Sequence, residues 1–376
     1  MKYCKQCLQP DTRPNISFNE KGICPACTYF EELKNIDFDE RLEILKDLVK
    51  KYPRKKNQIH DCIIGVSGGK DSTRQALWAR EKLGLNPLLI CLSYPPEQLT
   101  ERGADNISNL VELGFDLHII SLAPIQWKKL AKAGFMRFSN WGKSTELALF
   151  SSVPKIAIQY HIPLILWGEN PAMQLGDLGT LGTTGYDGNN IRNMNTLRGG
   201  DFEWMLEEGF SEKDLISYYY PTIKEFDEAN LQIIYLGWCL KDWSLLNNGS
   251  YSILNGLRIR SDSPKNTGDL YGVSRLDDDW VTLNQMVKYY KFGFGMVTEY
   301  MNEEIRMGRI SRDDAIKLVD KYDGCCSNKY IEEFCEYIEI SVKKFWEIVK
   351  DSLNKELFEI STNGEIIKKF KTGISI

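Results

Sequence analysis

The sequence predicts an α/β protein built on a doubly wound parallel sheet, with a small metal-binding ribbon before the sheet and a mainly helical part after it. Three observations lead to this prediction. Two Cys-x-x-Cys pairs lie within the first 27 residues, apolar runs alternate with helical patterns over residues 58–200, and residues 281–350 carry further helical patterns. We therefore divide the chain into a ribbon (1–35), a linker helix (36–57), a central domain (58–200) and a C-terminal region (201–376).

The N-terminal cysteines have the spacing of a four-thiolate zinc ribbon. Cys4 and Cys7 are followed, after sixteen residues, by Cys24 and Cys27, so two turns can each supply two ligands to one tetrahedral ion. Disulfides or a redox pair are the alternatives. We see no apolar signal segment and no run as long as a membrane span, so we expect a cytoplasmic protein, in a reducing compartment that disfavours disulfides. We predict a structural zinc ion, because the protein fills all four ligand positions.

Charge limits the classes of partner. The chain has 376 residues, with 47 basic and 52 acidic side chains and a net charge of −5. A nucleic-acid partner usually requires a basic face, which this balance disfavours. We expect neither a nucleic-acid nor a membrane partner.

A glycine-rich turn is the strongest signal for a binding site. The apolar run 61–66 predicts a buried strand and residues 73–83 predict a helix, so Ser67, Gly68 and Gly69 lie at a strand-to-helix turn that continues through Lys70-Asp71-Ser72. Such a turn directs backbone N–H groups and the positive end of a helix dipole at one point, which suits a phosphate. The spacing excludes a Walker P-loop.

The turn resembles the PP-loop of the ATP pyrophosphatase superfamily, which has an adenine nucleotide alpha hydrolase-like fold. Members of that superfamily cleave ATP between the α and β phosphates and attach AMP to a substrate oxygen. A glycine-rich connection that only turns the chain is the alternative, and the strand before it and the helix after it favour the PP-loop.

Three more strands and two helices complete the predicted central domain. Residues 86–93, 117–122 and 163–167 predict buried strands, separated by helical patterns at 97–113 and 144–160. Ligands of such sheets bind beyond the carboxyl ends of the strands. The predicted ATP site therefore combines the turn with residues that end or follow two other strands, namely Leu92, Ser93, Gly168, Glu169 and Asn170.

The region after these strands contains a polar segment, several helices and a hairpin. Residues 176–200 are rich in glycine, asparagine and threonine, whose short polar groups suit a sugar; a mobile surface loop is the alternative. The helical part offers Lys291 and Arg306 as contacts for pyrophosphate, although a solvated helix face explains each equally well. Residues 357–371, with Asn363-Gly364 between two β-like runs, predict a hairpin.

Motifs over residues 1–320 give a closer resemblance. They are the two cysteine pairs, the turn at 67–72, Gly142-Lys-Ser-Thr-Glu-Leu-Ala-Leu149, Trp167-Gly-Glu-Asn-Pro171, Gly185-Tyr-Asp-Gly-Asn-Asn190, Lys291-Phe-Gly-Phe-Gly295 and Ile305-Arg306-x-Gly308. With these motifs the chain is similar to the N-acetyl sugar amidotransferase family of bacterial surface-glycan synthesis, which serves pseudaminic and legionaminic acid derivatives and the amidino sugars of lipopolysaccharide O-antigens. Phe294 departs from the family pattern, in which we expect a basic residue.

The resemblance implies an activity and partners. Members convert a sugar acetamido group to an acetamidino group with ATP and ammonia, often taken from a separate glutaminase that acts with a cyclase-like barrel subunit. The expected substrate is a nucleotide-linked acetamido sugar or a nonulosonic acid. This chain has only three histidines, His60, His118 and His161, and no glutaminase nucleophile arrangement. We therefore expect the ammonia to come from another polypeptide.

The resemblance also implies roles for individual residues. The turn, together with Lys70 or Lys143, would hold the departing pyrophosphate, Asp71 would bind Mg2+, and Glu169 is a second carboxylate candidate. The predicted substrate contacts are Glu146, Asn170, Tyr186, Asp187, Asn189 and Asn190.

Two other functions stay open. A tRNA-thiolating PP-loop enzyme shares the ATP chemistry and a cysteine-zinc module, but it requires reactive cysteines near the nucleotide and a basic RNA face. A non-catalytic scaffold with a vestigial ATP site is the second alternative, and the intact Ser-Gly-Gly-x-Asp-Ser turn weakens it.

Overall fold

Five parallel strands form the central sheet of the protein, for which we describe residues 1–169, 172, 185–194 and 196–376 of a computed structural model. The chain moves outward from the first strand to the third and then returns to the other side of the first, which confirms the predicted doubly wound sheet. The carboxyl ends of the first and fourth strands thus form the switch point at which such sheets bind ligands. The strands are β1 (Cys62–Gly65), β2 (Pro87–Ser93), β3 (Asp116–Ser121), β4 (Leu164–Trp167) and β5 (Gln232–Tyr235), in the order β3-β2-β1-β4-β5.

Helices precede and connect the strands. The helix that follows β1 begins at Lys70, three residues earlier than predicted, so Lys70, Asp71 and Ser72 form its first turn. The sequence patterns predict neither the first nor the fifth helix, although each has a proline near its start. These helices are α1 (Pro25–Leu33), α2 (Phe38–Lys50), α3 (Lys70–Leu83), α4 (Glu101–Glu112), α5 (Pro124–Phe138) and α6 (Gly142–Tyr160).

Strand β5 is a further element that the sequence patterns do not predict. Three short helices precede it: α7 (Glu203–Glu207), α8 (Glu212–Leu215) and α9 (Ile223–Glu228). Residues 185–188 run along its outer side, where the Gly188 N–H donates to the Ile233 carbonyl at 2.8 Å. Because β5 follows residue 200, the sheet includes a strand from the part of the chain that the sequence analysis assigns to the C-terminal region.

The C-terminal region is mainly helical and ends in an antiparallel hairpin, as predicted. An aromatic core joins it to α5: the Phe135 ring stacks on Phe345 at 5.1 Å and meets the edge of Phe334 at 5.2 Å. None of the helices in the described ranges has the length and apolar character needed to cross a membrane. The elements are α10 (Leu245–Leu254), α11 (Pro264–Thr267), α12 (Val281–Phe292), α13 (Met296–Arg306), α14 (Arg312–Tyr322), α15 (Asn328–Tyr337), α16 (Val342–Asp351), β6 (Phe358–Ile360) and β7 (Ile366–Lys368).

The N-terminal ribbon packs against α13 and α14. Leu8 is fully buried in a cluster with residues of both helices, and its N–H donates to the Asn302 side chain at 2.7 Å. Arg312 donates to the Cys7 carbonyl at 3.3 Å. The ribbon is therefore anchored to the C-terminal helices by apolar contact and by hydrogen bonds.

Candidate active site

The glycine-rich turn lies between β1 and α3, as the sequence predicts. Gly68 has a φ of +73°, and a Cβ there would come within 2.8 Å of the Asn106 backbone, so only glycine fits. Gly69 is the N-cap of α3 and supplies no side-chain hydrogen bond. The N–H groups of the first turn are thus left for another acceptor, which is the arrangement that binds phosphate at helix N-termini.

A cavity of about 190 Å³ opens at the switch point, and we refer to it as the switch-point cavity. Residues from the turn, from the ends of β2 and β4, from α6 and from a loop before α12 line it. Among the predicted ATP-site residues, those that line it are Ser67, Gly69, Lys70, Asp71, Ser72, Leu92, Gly168 and Glu169. Ser93 lies just outside, where its hydroxyl donates to the Tyr94 carbonyl at 3.1 Å.

Asp71 and Lys70 form a pair in the switch-point cavity. Lys70 Nζ lies 2.7 Å from Asp71 Oδ2, and the Asn248 side-chain N–H donates to Asp71 Oδ1 at 2.6 Å. Burial raises the pKa of Glu169 to about 7, and the charge of Asp71 adds to this effect. Asp71 and Glu169 both line the cavity beside the phosphate-type turn, and two carboxyl groups in this position are a donor set that fits Mg2+ bound with a nucleotide.

Arg275 lines the same cavity and is a site residue that the sequence analysis misses. It comes from the loop Val273–Arg275 and has a φ of +50°, a conformation that non-glycine residues rarely adopt. Its charge acts on Glu169 and also on Glu146 and Glu299. No motif marks Arg275, since its position in the site depends on how the C-terminal region folds over the sheet.

A second charged group lies near Arg275. Glu299 Oε1 accepts from Arg13 at 2.5 Å and from Lys288 at 2.7 Å; we call Arg13, Lys288 and Glu299 the charged cluster. Burial favours the neutral form of Glu299, but Lys288 and Arg13 outweigh it and hold the pKa of Glu299 at about 2. Burial lowers the pKa of Lys288 to about 8. Two cations therefore face one ionised carboxylate here, with Arg275 as a third cation nearby.

The charged cluster also explains Phe294, the residue that departs from the family pattern. The Phe294 ring is buried and lies under both cations, 4.8 Å from the Arg13 guanidinium and 4.7 Å from Lys288 Nζ. Two positive charges thus lie beside position 294, where we expect a basic residue. One of them, Arg13, comes from the ribbon.

Lys143 and Glu146 lie near the N-terminus of α6, beyond the part of that helix that lines the cavity. At 1.5 Å per residue, Lys143 lies about 9 Å along the axis from Leu149, which lines the cavity. Lys143 donates weakly to the Thr196 carbonyl at 3.5 Å, and burial lowers its pKa. Burial raises the pKa of Glu146, and Arg275, Lys143 and Lys288 act against that rise. The charges of Lys143 and of Lys288 in the charged cluster therefore both act on Glu146.

The two predicted pyrophosphate contacts in the C-terminal helices do not line the switch-point cavity. Lys291 donates to the Phe138 carbonyl at the end of α5, at 2.8 Å, a contact that suits the negative end of a helix. Arg306 lies close enough to the ribbon cysteines for Cys7, Cys24 and Cys27 to raise its pKa against the effect of burial. Their roles toward ATP stay predictions.

The polar segment is described from residue 185, and its side chains contact β5 and its surroundings. Both amide atoms of Asn189 bond to the backbone beside β5, with the Ile233 N–H donating to Oδ1 at 2.8 Å. Asp187 accepts from Gln232 at 3.1 Å, Tyr186 packs on Trp238, and Asn190 is exposed. Asn170 and residues 176–184 lie outside the described residues. The substrate roles of these residues also stay predictions.

The four predicted zinc ligands converge on one point. The sulfur atoms of Cys4, Cys7, Cys24 and Cys27 all lie within 4.8 Å of one another and are buried. Cys7 Sγ and Cys24 Sγ are 3.7 Å apart, close to the value of about 3.8 Å expected for a tetrahedron with Zn–S bonds of about 2.3 Å. The Cys24 N–H donates to Cys4 Sγ at 3.3 Å, which favours a thiolate. The cluster fits a structural zinc ion.

Comparison with known families gives one match, to the C-terminal part of the chain. Residues 270–371 match the family described as "LPS biosynthesis protein WbpG-like, C-terminal domain". The match supports the resemblance to surface-glycan enzymes and extends past residue 320, where the sequence motifs end. No curated protein matches the chain.

Comparison with solved structures gives weak likenesses. An NH3-dependent NAD synthetase from Campylobacter jejuni has a TM-score of 0.30 and 14% identity, covering 61% of this chain and 100% of its own. An NMN synthetase from Francisella tularensis has a TM-score of 0.30 and 17% identity, and the match covers 60% of this chain and 90% of the synthetase. The U34-tRNA thiolase NcsA from Methanococcus maripaludis has a TM-score of 0.29 and 12% identity, and the match covers 93% of this chain and 89% of the thiolase. At these scores the likenesses carry no argument, and the fold rests on the strand order.

The matched domain and the phosphate-type turn together support an ATP-dependent enzyme of glycan biosynthesis. Residues 273–275, which belong to the matched domain, form one wall of the switch-point cavity. The turn at residues 67–72 forms another.

Proposed function

We propose that the chain is an ATP-dependent N-acetyl sugar amidotransferase, which converts a sugar acetamido group to an acetamidino group in bacterial surface-glycan synthesis. One observation carries the proposal: the WbpG-like domain supplies Arg275 to the cavity that contains the PP-loop turn. The nucleotide and the sugar would therefore meet between the sheet and this domain.

The reaction requires activation of an amide. The amide oxygen attacks the α phosphorus of ATP, pyrophosphate leaves, and an O-adenylated imidate forms. Ammonia then attacks the imidate carbon, AMP departs with the former amide oxygen, and loss of a proton leaves the amidine. Both steps depend mainly on positioning and on neutralising charge on phosphate oxygens.

The residues of the switch-point cavity suit the first step. The N–H groups of the first turn of α3 and the Lys70 ammonium would hold the departing pyrophosphate. Asp71, with Glu169 as the second carboxylate, would hold Mg2+, which supplies charge stabilisation on the phosphates when bound. Arg275 adds a cation to the lining of the same cavity.

The charged cluster suits the second substrate. Arg13, Lys288 and Arg275 leave an excess of positive charge over the Glu299 carboxylate, so an anionic group on the sugar would find a complementary surface there. A nucleotide-linked sugar and a nonulosonic acid both carry such a group. Glu146, on which the charges of both Lys143 and Lys288 act, is the candidate to orient the acetamido group, together with Asn170.

The ammonia would come from a separate glutaminase, acting with a cyclase-like barrel subunit. The histidines do not indicate a glutaminase centre: His60 contacts Asp116 at 2.9 Å and His118 packs on Tyr160. This partner is part of the proposal, because free ammonia is scarce at neutral pH.

Thiolation of tRNA is the less well supported alternative. Cys91 lies in β2 between the cavity-lining residues Ile90 and Leu92, whereas Cys62 lies at the opposite end of β1 from the cavity. Both are fully buried. Burial raises the pKa of Cys91 to about 12 and that of Cys62 further still. Neither thiol offers the low-pKa, accessible thiolate that sulfur transfer requires.

The proposal is tested by incubating the purified chain with Mg-ATP, ammonium at mildly alkaline pH and a panel of free and nucleotide-linked diacetamido sugars. We expect a sugar product lighter by about one mass unit, from exchange of O for NH, with equal amounts of AMP and pyrophosphate. AMP and pyrophosphate formed with tRNA as the acceptor, and no change in any sugar, would instead support thiolation.

A further inference from the structure

Asn248 lies in a chain of hydrogen bonds that ends at Asp71. Its side-chain N–H donates to Asp71 Oδ1 at 2.6 Å, and its Oδ1 accepts from Arg74 at 2.5 Å. Arg74 also pairs with Asp242 at 2.7 Å. Asn248 is 1% exposed, so a residue of α10 reaches, through the interior, the carboxylate in the first turn of α3.

The chemistry of its two neighbours fixes the orientation of the Asn248 amide. An arginine side chain can only donate hydrogen bonds, and an ionised carboxylate can only accept them. The amide oxygen must therefore face Arg74 and the amide nitrogen must face Asp71, since the reverse orientation loses both bonds. Arg74 is itself held in place, because its guanidinium lies over the Trp243 and Tyr251 rings at 5.6 and 5.7 Å.

The two oxygens of Asp71 thus have different kinds of partner. Oδ2 contacts Lys70 Nζ at 2.7 Å, a flexible cation that phosphate oxygens attract away from it. Oδ1 is bound by Asn248, a buried neutral group whose other bond holds it in place. Entry of a nucleotide can therefore release Oδ2 while Oδ1 stays bonded.

We propose that Asn248 is a positioning residue of the nucleotide site, which holds the Asp71 carboxylate so that Oδ2 is the oxygen offered to Mg2+. This inference rests on the proposed nucleotide role of Asp71. Without the bond from Asn248, the Asp71 carboxylate keeps only its contact with Lys70, so it can rotate and its two oxygens lose their defined positions. The fold brings Asn248 to Asp71 from 177 residues away.

Calorimetric binding of α,β-methylene-ATP to the full chain, at a series of free Mg2+ concentrations, tests the proposal. Asn248→Leu keeps the size of the side chain and removes both hydrogen bonds. We expect the free Mg2+ concentration for half-maximal nucleotide affinity to rise about tenfold, because a tenfold change corresponds to the loss of one hydrogen bond to a charged group. At saturating Mg2+ we expect an affinity within about twofold of wild type.

Ser252→Ala is the matched control. Ser252 lies one turn further along α10, is fully buried, and donates to the Lys70 carbonyl at 2.6 Å. It therefore contributes to the packing of α10 on α3 without touching the Asp71 carboxylate. We expect Ser252→Ala to lower the melting temperature but to leave the Mg2+ requirement unchanged.

The outcomes separate this inference from the proposed function. A Mg2+ requirement in Asn248→Leu equal to that of wild type overturns the inference alone, because Asn248 then only packs helices. If Asn248→Leu does not fold, Asn248→Ser replaces it; its short hydroxyl cannot reach Asp71, so the same tenfold shift is expected and its absence has the same meaning. A wild-type chain that binds no nucleotide at any Mg2+ concentration overturns the proposed function and this inference together.

Discussion

The four-cysteine cluster and the switch-point cavity differ in how far apart along the chain their residues lie. The cluster takes all its ligands from residues 4–27, whereas the cavity combines residues from Gly65 to Arg275. The cluster is buried and closed, with no position left for a substrate. The cavity is open and lined by charged groups, as a site of chemistry requires. Sequence spacing alone can therefore describe the first site, while the second exists only once the chain has folded.

The ribbon takes part in both regions. Its cysteines form the closed cluster, but Arg13, a few residues after Cys7, belongs to the charged cluster near the cavity. Variants of each region test how separate the two regions are, and the variant with the largest expected effect comes first.

The largest effect is expected from Cys24→Ser. Zinc-ribbon metal binding contributes on the order of 10 kcal/mol to folding, and the loss of one thiolate leaves three ligands and a buried gap. We expect the variant to lose nearly all bound zinc, measured by elemental mass spectrometry, and to melt well below wild type. Cys335→Ser, at a buried cysteine outside the cluster, is the control. A Cys24→Ser chain that keeps its zinc and melts at the wild-type temperature would contradict the role of the four cysteines as ligands of a stabilising zinc ion.

The next largest effect is expected from Asp71→Ala. Loss of a carboxylate that neutralises phosphate charge through Mg2+ should reduce AMP formation about a thousandfold. Zinc content should stay at the wild-type level, and the melting temperature should fall moderately, because Lys70 and Asn248 each lose a hydrogen-bond partner. Asp116→Ala, on exposed strand β3, is the control. Turnover at the wild-type rate in Asp71→Ala would contradict the role of Asp71.

Cys24 and Asp71 belong to the features of the two regions that can be predicted from the sequence. The convergence of the four cysteines, and the strand-to-helix turn that contains Asp71, are predicted correctly because each feature lies within a short stretch of chain and has its own chemical signature. Arg275 and Asn248 have no such signature; they reach the site through long-range packing. Strand β5 is missed because Gln232–Tyr235 lies among aromatic residues, which indicate core rather than strand.

Glu169 gives a pH-dependent prediction within the cavity. Burial raises its pKa from 4.5 to about 7, so the folded state holds a proton that the unfolded state releases. The stability from this group is therefore complete below pH 4.5 and is lost as the pH rises to about 7. Glu169→Gln, which stays neutral, should be more stable than wild type at pH 8 by up to about 3 kcal/mol, and little different at pH 4.5.

Urea unfolding of wild type and Glu169→Gln at several pH values between 4.5 and 8 measures this difference. Glu97→Gln, at an exposed carboxylate, is the control for the effect that losing one negative charge has on stability by itself. A constant difference in unfolding free energy across the range would show that Glu169 is not held in a desolvated site.

The smallest effect is expected from Arg13→Ala, and it tests the link between the two regions. Arg13 pairs with Glu299 at 2.5 Å and lies over Phe294, but Lys288 still contacts Glu299 after its removal. If the charged cluster binds an anionic group of the sugar, KM for the sugar should rise about tenfold, with KM for ATP and zinc content unchanged. Arg54→Ala, at an exposed arginine before β1, controls for loss of net charge.

An unchanged KM for the sugar would assign Arg13 to holding the ribbon against α13, and the two regions would then be separate in function as well as in construction. A raised KM would mean that the ribbon, although its cysteine cluster is closed to substrate, is needed to bring a substrate-binding arginine to the site.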